Sequence, residues 1–298
     1  MVDAKQMSQM AEKKGFIAAL DQSGGSTPGA LRLYGIADSD YSGDEAMFRL
    51  MHEMRVRIMT APSFSGDKVI AAILFEKTMD GEAEGKPVPS YLWEDRGVVP
   101  FLKVDKGLAA EENGVQLMKP MSDLDALLAR AVGKGIFGTK MRSVIANADR
   151  TGIAAIVKQQ FEVGRQILGH GLIPIIEPEV SIKSPTKQEA EAILRDAIAK
   201  ELDALPSGTQ VMLKLSIPTV ADFYAPLIAH KAVTRVVALS GGYSRVDACE
   251  KLSHNHGMIA SFSRALTEDL RVTMSDGEFD ASLGTTIDQI HDASVTKV

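Results

Sequence analysis

Six charged residues fall into three pairs, each split by one residue: Lys103 and Asp105 in FLKVD, Lys140 and Arg142 in GTKMR, Glu177 and Glu179 in IIEPE. Each pair closes a short apolar run that reads as a strand. Side chains along a strand alternate faces, so both members of a pair point the same way. Asp21 closes GFIAALD, Glu76 closes VIAAILFE, and Lys214 lies within VMLKLSIP. An unpaired ion costs several kcal/mol to bury, so charges on apolar strands must face one another at a shared polar mouth. A structural ion-pair cap would account for any one of them. It does not account for three lysines and an arginine converging with four or five carboxylates, a concentration expected where chemistry is done.

The chemistry open to such a set is capture of a carbonyl by an amine. A lysine that forms a Schiff base must be partly unprotonated, and an apolar strand or a neighbouring cation favours that form. Lys214 has the apolar strand, Lys140 two strands earlier is a neighbouring cation, and Glu177 on the strand between them can shuttle protons during dehydration. Residue types and spacing leave the nucleophile open between Lys140 and Lys214. A metal-dependent route would need ligands at the same mouth. None of the six histidines, His52, His170, His230, His254, His256 and His291, closes a strand-like run. The His254-Asn-His256 pair precedes the last run and reads as a surface loop at the opposite end. Carboxylates alone could hold Mg²⁺, but the adjacent lysines oppose a dense divalent site, so no metal and no cofactor are expected.

Phosphate recognition is suggested by three glycine- and serine-rich segments. LSGGYS, with Ser240 and Gly241, follows the seventh apolar run, and SFSRAL, with Arg264, follows the eighth. In α/β barrels, phosphate commonly sits on these two loops, where backbone N–H groups approach closely and an arginine adds a charged clamp. Ser23-Gly24-Gly25-Ser26 after the first run has two readings: a second phosphate loop, or a simple helix start with Pro28 just inside the helix.

Positioning such a mouth requires a scaffold of buried parallel strands. Eight short apolar runs are present: 15–21, 69–76, 99–105, 136–142, 172–179, 210–215, 235–241 and 257–263. Runs this short and apolar read as strands buried on both faces. Between them lie segments of helical periodicity. The clearest are 122–132, with Ser122 and Asp123 as candidate caps, 152–168, with a stripe of Ile153, Ile156, Val157, Phe161, Val163, Gly164 and Ile167, and 186–205. The stretch 77–98 reads as a long loop with a short helix. Strand–helix alternation with eight strands predicts a closed (β/α)8 (TIM) barrel. The alternative, an open doubly wound sheet, lacks a GxGxxG after the first strand and would gather its reactive residues at one switch point. A length of 298 residues fits one barrel domain over 1–298.

Composition narrows the class further. A net charge of −6 and an aromatic content of 5% argue against a nucleic-acid binder. The lone cysteine, Cys249, forms no intrachain disulfide and lies in a helical-looking run, where burial is its expected role. The polar, amphipathic N-terminus lacks the apolar region of a secretory signal, and no apolar run approaches the roughly 20 residues of a membrane span. A soluble, cytoplasmic protein without nucleic-acid or membrane partners is expected; a homo-oligomer is possible, and no exposed apolar stripe declares it.

FIAALDQSGGS, FLKVDKG, GTKMR, GLIPIIEPE, VMLK, LSGGYS and SFSRAL, in this order, resemble the class I fructose-bisphosphate aldolases, in particular their shorter bacterial branch, over roughly residues 13–295. The resemblance implies a Schiff base at Lys214 and general acid–base work at Glu177. It implies cleavage assisted by Asp21 and Lys140, a second carboxylate at Glu179, and substrate-binding cations at Lys103 and Arg142. Ser240, Gly241 and Arg264 would hold the phosphate beside the ketone, and Ser23 and Ser26 the distal phosphate. Compared with the animal-type enzymes, Met141 replaces a tryptophan, Gln22 replaces an acidic residue, and Gly29 and Ala30 occupy the place of a basic pair. The terminal tyrosine of longer relatives has no match through Val298, so another group or water is expected to do its proton transfer.

The expected activity is metal-independent, reversible cleavage of fructose 1,6-bisphosphate to dihydroxyacetone phosphate and glyceraldehyde 3-phosphate, a lyase step of glycolysis and gluconeogenesis. The alternatives are a Schiff-base aldolase for tagatose or sedoheptulose bisphosphate, and a noncatalytic phosphosugar-binding or adhesion protein on the same scaffold.

Overall fold

A computed structural model describes residues 3–298. Eight parallel strands form its centre: β1 (Phe16–Leu20), β2 (Val69–Leu74), β3 (Val99–Lys103), β4 (Gly138–Ile145), β5 (Ile173–Val180), β6 (Val211–Ser216), β7 (Val233–Leu239) and β8 (Met258–Phe262). Each pairs with the next, and β8 pairs back with β1 through Ile17 and Ser261, which closes the barrel. Helices follow the strands, the longest being Gly43–Thr60, Arg150–Gly169, Lys187–Asp203 and Asp276–Val295. All eight expected strands are present, with shifted ends. β4 runs on to Ile145 because Val144 and Ile145 pair with a short antiparallel strand, Val115–Gln116. β7 stops at Leu239 because Gly241 takes a φ of +60°, a left-handed conformation that turns the chain out of the strand.

Alternation divides the barrel side chains into two cores. Ile17, Ile73, Val99, Phe101, Ile175, Met212, Val237 and Ile259 fill the interior, while their neighbours pack outward against the helices. Gly138 is required by this filling: a Cβ there would stand 2.6 Å from the Phe101 ring and 2.3 Å from the Ile173 carbonyl oxygen. The lower end is stoppered by the helix Ala4–Glu12, whose Met10 is wholly buried in the interior core. Full burial of such a side chain contributes about 2 kcal/mol. Gln9 Nε2 donates to the carbonyls of Ile70 and Gly97, each at 2.8 Å, and Arg235 Nε donates to Met10 O at 2.9 Å, so the stopper is fixed to the strands it closes. Only the end formed by the strand C-termini is left polar.

The predicted helices are found as Leu124–Gly133, Arg150–Gly169 and Lys187–Asp203. In the second, the apolar stripe is buried except for Val163, which is half-buried, and Asp149 caps it by accepting from Gly152 N at 2.8 Å. Asp123, an expected cap, does hold the N-cap position of Leu124–Gly133, but its side chain makes no capping bond and its carboxylate lies 3.3 Å from Lys106 Nζ instead. Stretch 77–98 contains the end of the helix Glu76–Asp80, a two-residue hairpin and helical turns from Val88 to Asp95. Among the described residues, no helix is long and apolar enough to cross a membrane.

Candidate active site

At the C-terminal rim, a cavity of about 860 Å³ is lined by Asp105 and by the twelve residues to which the resemblance gives roles: Asp21, Ser23, Ser26, Lys103, Lys140, Arg142, Glu177, Glu179, Lys214, Ser240, Gly241 and Arg264. Strand register explains the convergence. Lys103 pairs with Lys140 across β3 and β4, Arg142 with Glu177 across β4 and β5, and Lys214 with Val237 across β6 and β7. The three alternate-residue pairs face the mouth, as alternation along a strand requires.

Buried charges form a chain across the floor. Lys140 Nζ lies 2.6 Å from Asp21 Oδ2 and 2.9 Å from Glu177 Oε2, and Lys214 Nζ lies 3.1 Å from Glu177 Oε1. Asp21, Lys140, Glu177 and Lys214 are each at most 7% exposed. The 2.9 Å contact is ionic, at an angle unsuited to a hydrogen bond, so Glu177 Oε2 is buried without a hydrogen-bonding partner in the protein. Burial raises the Asp21 carboxyl, but the charges of Lys140 and Lys214 outweigh it and hold Asp21 at about 2. Burial acts against the Lys140 ammonium too, yet Asp21, Glu177 and Asp105 raise it well above the ordinary lysine range. Lys140 is therefore a fixed cation.

A second ring surrounds this floor. Lys103 Nζ donates to Asp105 Oδ1 at 2.7 Å, Asp105 Oδ2 accepts from Arg142 N at 3.2 Å, and Arg142 Nε donates to Glu179 Oε2 at 2.5 Å. Arg142 is held protonated against its burial by Glu179. Arg264 donates to Gly242 O at 3.1 Å. Ser26 Oγ is committed locally, accepting from Ser23 N and donating to Ser23 O, while Pro28 sits in the first turn of Thr27–Tyr34. Glu76, placed at the mouth from sequence, is not there. It begins the helix Glu76–Asp80 and its carboxylate pairs with Arg130 and Lys106.

Several cavity residues fell outside the sequence selection. Gln22 lines the mouth and donates to Ser263 Oγ at 2.7 Å, tying β1 to β8. Behind it, Arg55 is 2% exposed, donates to the Gln22 carbonyl and, at 2.8 Å, to Thr78 Oγ1, and is lowered to about 10 by burial. Its signal was present: it shares the buried stripe of Gly43–Thr60 with Met51, Met54, Ile58 and Met59. Gln160 likewise interrupts the stripe of its helix; it donates to Ser143 Oγ at 2.7 Å and brackets the Glu177 peptide through both amide atoms. Lys183, three residues beyond β5, had no such signal. His254 and His256 lie away from the cavity, His256 Nδ1 resting 2.9 Å from Asp222. Among the described residues, no group of three or more His, Cys, Asp or Glu is arranged to hold a metal ion.

An eight-stranded α/β barrel whose mouth carries two buried amines bridged by one carboxylate, within a ring of further cations, is the architecture of a carbonyl-capturing barrel lyase. Residues 4–214 match the family model described as fructose-bisphosphate aldolase class-I. The chain is 57% identical to a Synechocystis sp. protein named fructose-bisphosphate aldolase class 1, over 98% of this chain and 97% of that one. It therefore belongs to the class I fructose-bisphosphate aldolase family. A Plasmodium falciparum fructose-bisphosphate aldolase, solved in complex with TRAP and an inhibitor, shares the fold at a TM-score of 0.75 and 19% identity, over 98% of this chain and 95% of that one. A Corynebacterium glutamicum protein is similar at a TM-score of 0.55 and 12% identity, over 97% and 91% of the two chains.

Proposed function

We propose that this chain, taken as one catalytic barrel over residues 1–298, cleaves fructose 1,6-bisphosphate reversibly through a Schiff base on Lys214, without a metal. One observation carries the reading: Glu177 stands between two buried amines, one of which is committed to carboxylates on both sides. Lys140 is pinned as a cation by Asp21 and Glu177, which removes it as a nucleophile. Lys214 meets one carboxylate oxygen, at 3.1 Å, and that oxygen is placed to take its proton. The choice that residue types left open thus falls on Lys214.

Lys214 Nζ adds to the C2 ketone, and Glu177 returns a proton to the resulting hydroxyl, which leaves as water to give an iminium. Asp21, ionised across the working range, accepts the proton of the C4 hydroxyl as the C3–C4 bond breaks. The bonding pair moves into the iminium as an enamine, and glyceraldehyde 3-phosphate departs. A proton returns to C3, and water releases dihydroxyacetone phosphate. Lys140 stabilises charge developing on the hydroxyl oxygens. Arg142, oriented by Glu179, and Lys103, oriented by Asp105, position the sugar. Ser240, Gly241 and Arg264 hold the phosphate beside the ketone, and Ser23 and Ser26 border the distal one. The reading places the enzyme in the cytoplasm, where glycolytic flux runs, either alone or as a homo-oligomer.

A coupled assay comparing kcat/KM for fructose, tagatose and sedoheptulose bisphosphates, with and without EDTA, tests it. The expected result is a preference for the fructose compound, unaffected by EDTA. Preference for another ketose would reassign the substrate, EDTA inhibition would overturn the metal-free route, and no turnover on any of them would favour a binding protein.

A further inference from the structure

Six cations line the cavity against four carboxylates. Lys103, Lys140, Arg142 and Lys214 are each paired with Asp105, Asp21, Glu179 or Glu177. The two that remain, Lys183 and Arg264, have no carboxylate partner among the described residues, although the chain as a whole is acidic at −6. Their positions are related. A Cβ on Gly242 would meet an Arg264 terminal nitrogen at 3.4 Å and Ile182 Cδ1 at 3.5 Å. A Cβ on Gly241 would stand 2.7 Å from Ile182 Cγ2. The loop after β5 therefore packs directly on the glycines after β7, and Lys183, next in sequence to Ile182, lines the same cavity as Arg264. Lys183 is exposed and lines the mouth, with its backbone fixed by a bond from its N–H to Ser181 Oγ at 3.2 Å.

We propose that Lys183 is a substrate-binding residue that, together with Arg264, holds the ketone-proximal phosphate. This rests on the sugar-phosphate reading above. The excess of positive charge sits where a dianionic group would neutralise it. A lysine ammonium on a flexible stem suits a phosphate whose position shifts as the neighbouring carbon changes geometry. Gly241 and Gly242 carry no side chains of their own, so their backbone stays open to the phosphate that the two cations would hold. Lys183 carries binding rather than bond cleavage, because nothing connects it to the Asp21–Lys140–Glu177–Lys214 chain.

Titration of the full-length wild type, Lys183→Gln and Lys183→Arg with inorganic phosphate, followed calorimetrically, tests this without relying on turnover. Lys183→Gln should weaken phosphate about three- to tenfold, the scale of one exposed charge-assisted contact. Lys183→Arg should restore affinity to within about twofold. In steady state, Lys183→Gln should raise KM for the bisphosphate by a similar factor while kcat holds. Unchanged phosphate affinity and KM in Lys183→Gln would show a solvated surface lysine and overturn the proposal, as would a fall in kcat alone. Failure to trap a covalent adduct in the wild type would instead overturn the Schiff-base reading, so the two failures are separable.

Discussion

Replacing Lys140 by methionine should unfold the protein more readily at neutral pH than at acid pH. Lys140 is 4% exposed and separates two buried carboxylates, at 2.6 Å and 2.9 Å. Removing the shared cation leaves those charges uncompensated, a loss of about 3–5 kcal/mol near neutrality. The sign of the pH dependence comes from Asp21. Its folded value is depressed from 3.8 to about 2, so in the wild type it contributes stability that is present above pH 3.8 and lost as pH falls toward 2. That contribution is roughly 2 kcal/mol. In Lys140→Met, burial, the largest influence on Asp21, is opposed only by the charges of Lys214 and Lys103, and the folded value is expected to rise above the unfolded one. The variant then gains stability as the carboxylates protonate, recovering up to about 1.4 kcal/mol per proton for each pH unit below the raised value. Urea unfolding of both proteins, followed by circular dichroism at about pH 7.5 and about pH 4.5, should show a gap that narrows by roughly 2 kcal/mol on the acid side. A deficit under about 1 kcal/mol near neutrality, or one independent of pH, would refute the view of Lys140 as the pin between Asp21 and Glu177.

Glu177→Gln keeps the shape of the carboxylate but cannot cycle a proton; adduct formation in single-turnover trapping should slow by about 10²–10⁴-fold, and thermal stability should fall because buried Lys214 loses its carboxylate contact. Arg55→Met removes the donor to the Gln22 carbonyl beside Asp21; kcat should fall by about tenfold to a hundredfold with KM little changed, as expected for a displaced catalytic group. Gly241→Ala meets both a φ of +60° and a 2.7 Å approach to Ile182, so KM for phosphorylated substrate should rise by about tenfold and the midpoint of urea unfolding should fall.

The barrel was legible because each buried strand is a short apolar run, and the mouth because its charges stand at alternate residues. Lys103, Lys140, Arg142, Glu177 and Glu179 converge as that spacing requires. Glu76 misled because an acidic residue closing an apolar run also suits the first turn of a helix, which is where it lies. Arg55 and Gln160 are polar interruptions of buried helical stripes, readable only once a neighbour for the interruption is known. Lys183 belongs to a loop, and periodicity says nothing about which rim a loop covers. Residue types and spacing left the nucleophile open because both lysines sit on apolar strands; apart from the resemblance, the choice depends on how many carboxylates each one touches.

Borohydride reduction in the presence of dihydroxyacetone phosphate, followed by peptide mass spectrometry, tests the central claim directly. A single reduced adduct should map to Lys214 and be absent from Lys214→Met, which should also have lost turnover. An adduct on Lys140, or cleavage activity that survives Lys214→Met, would contradict it.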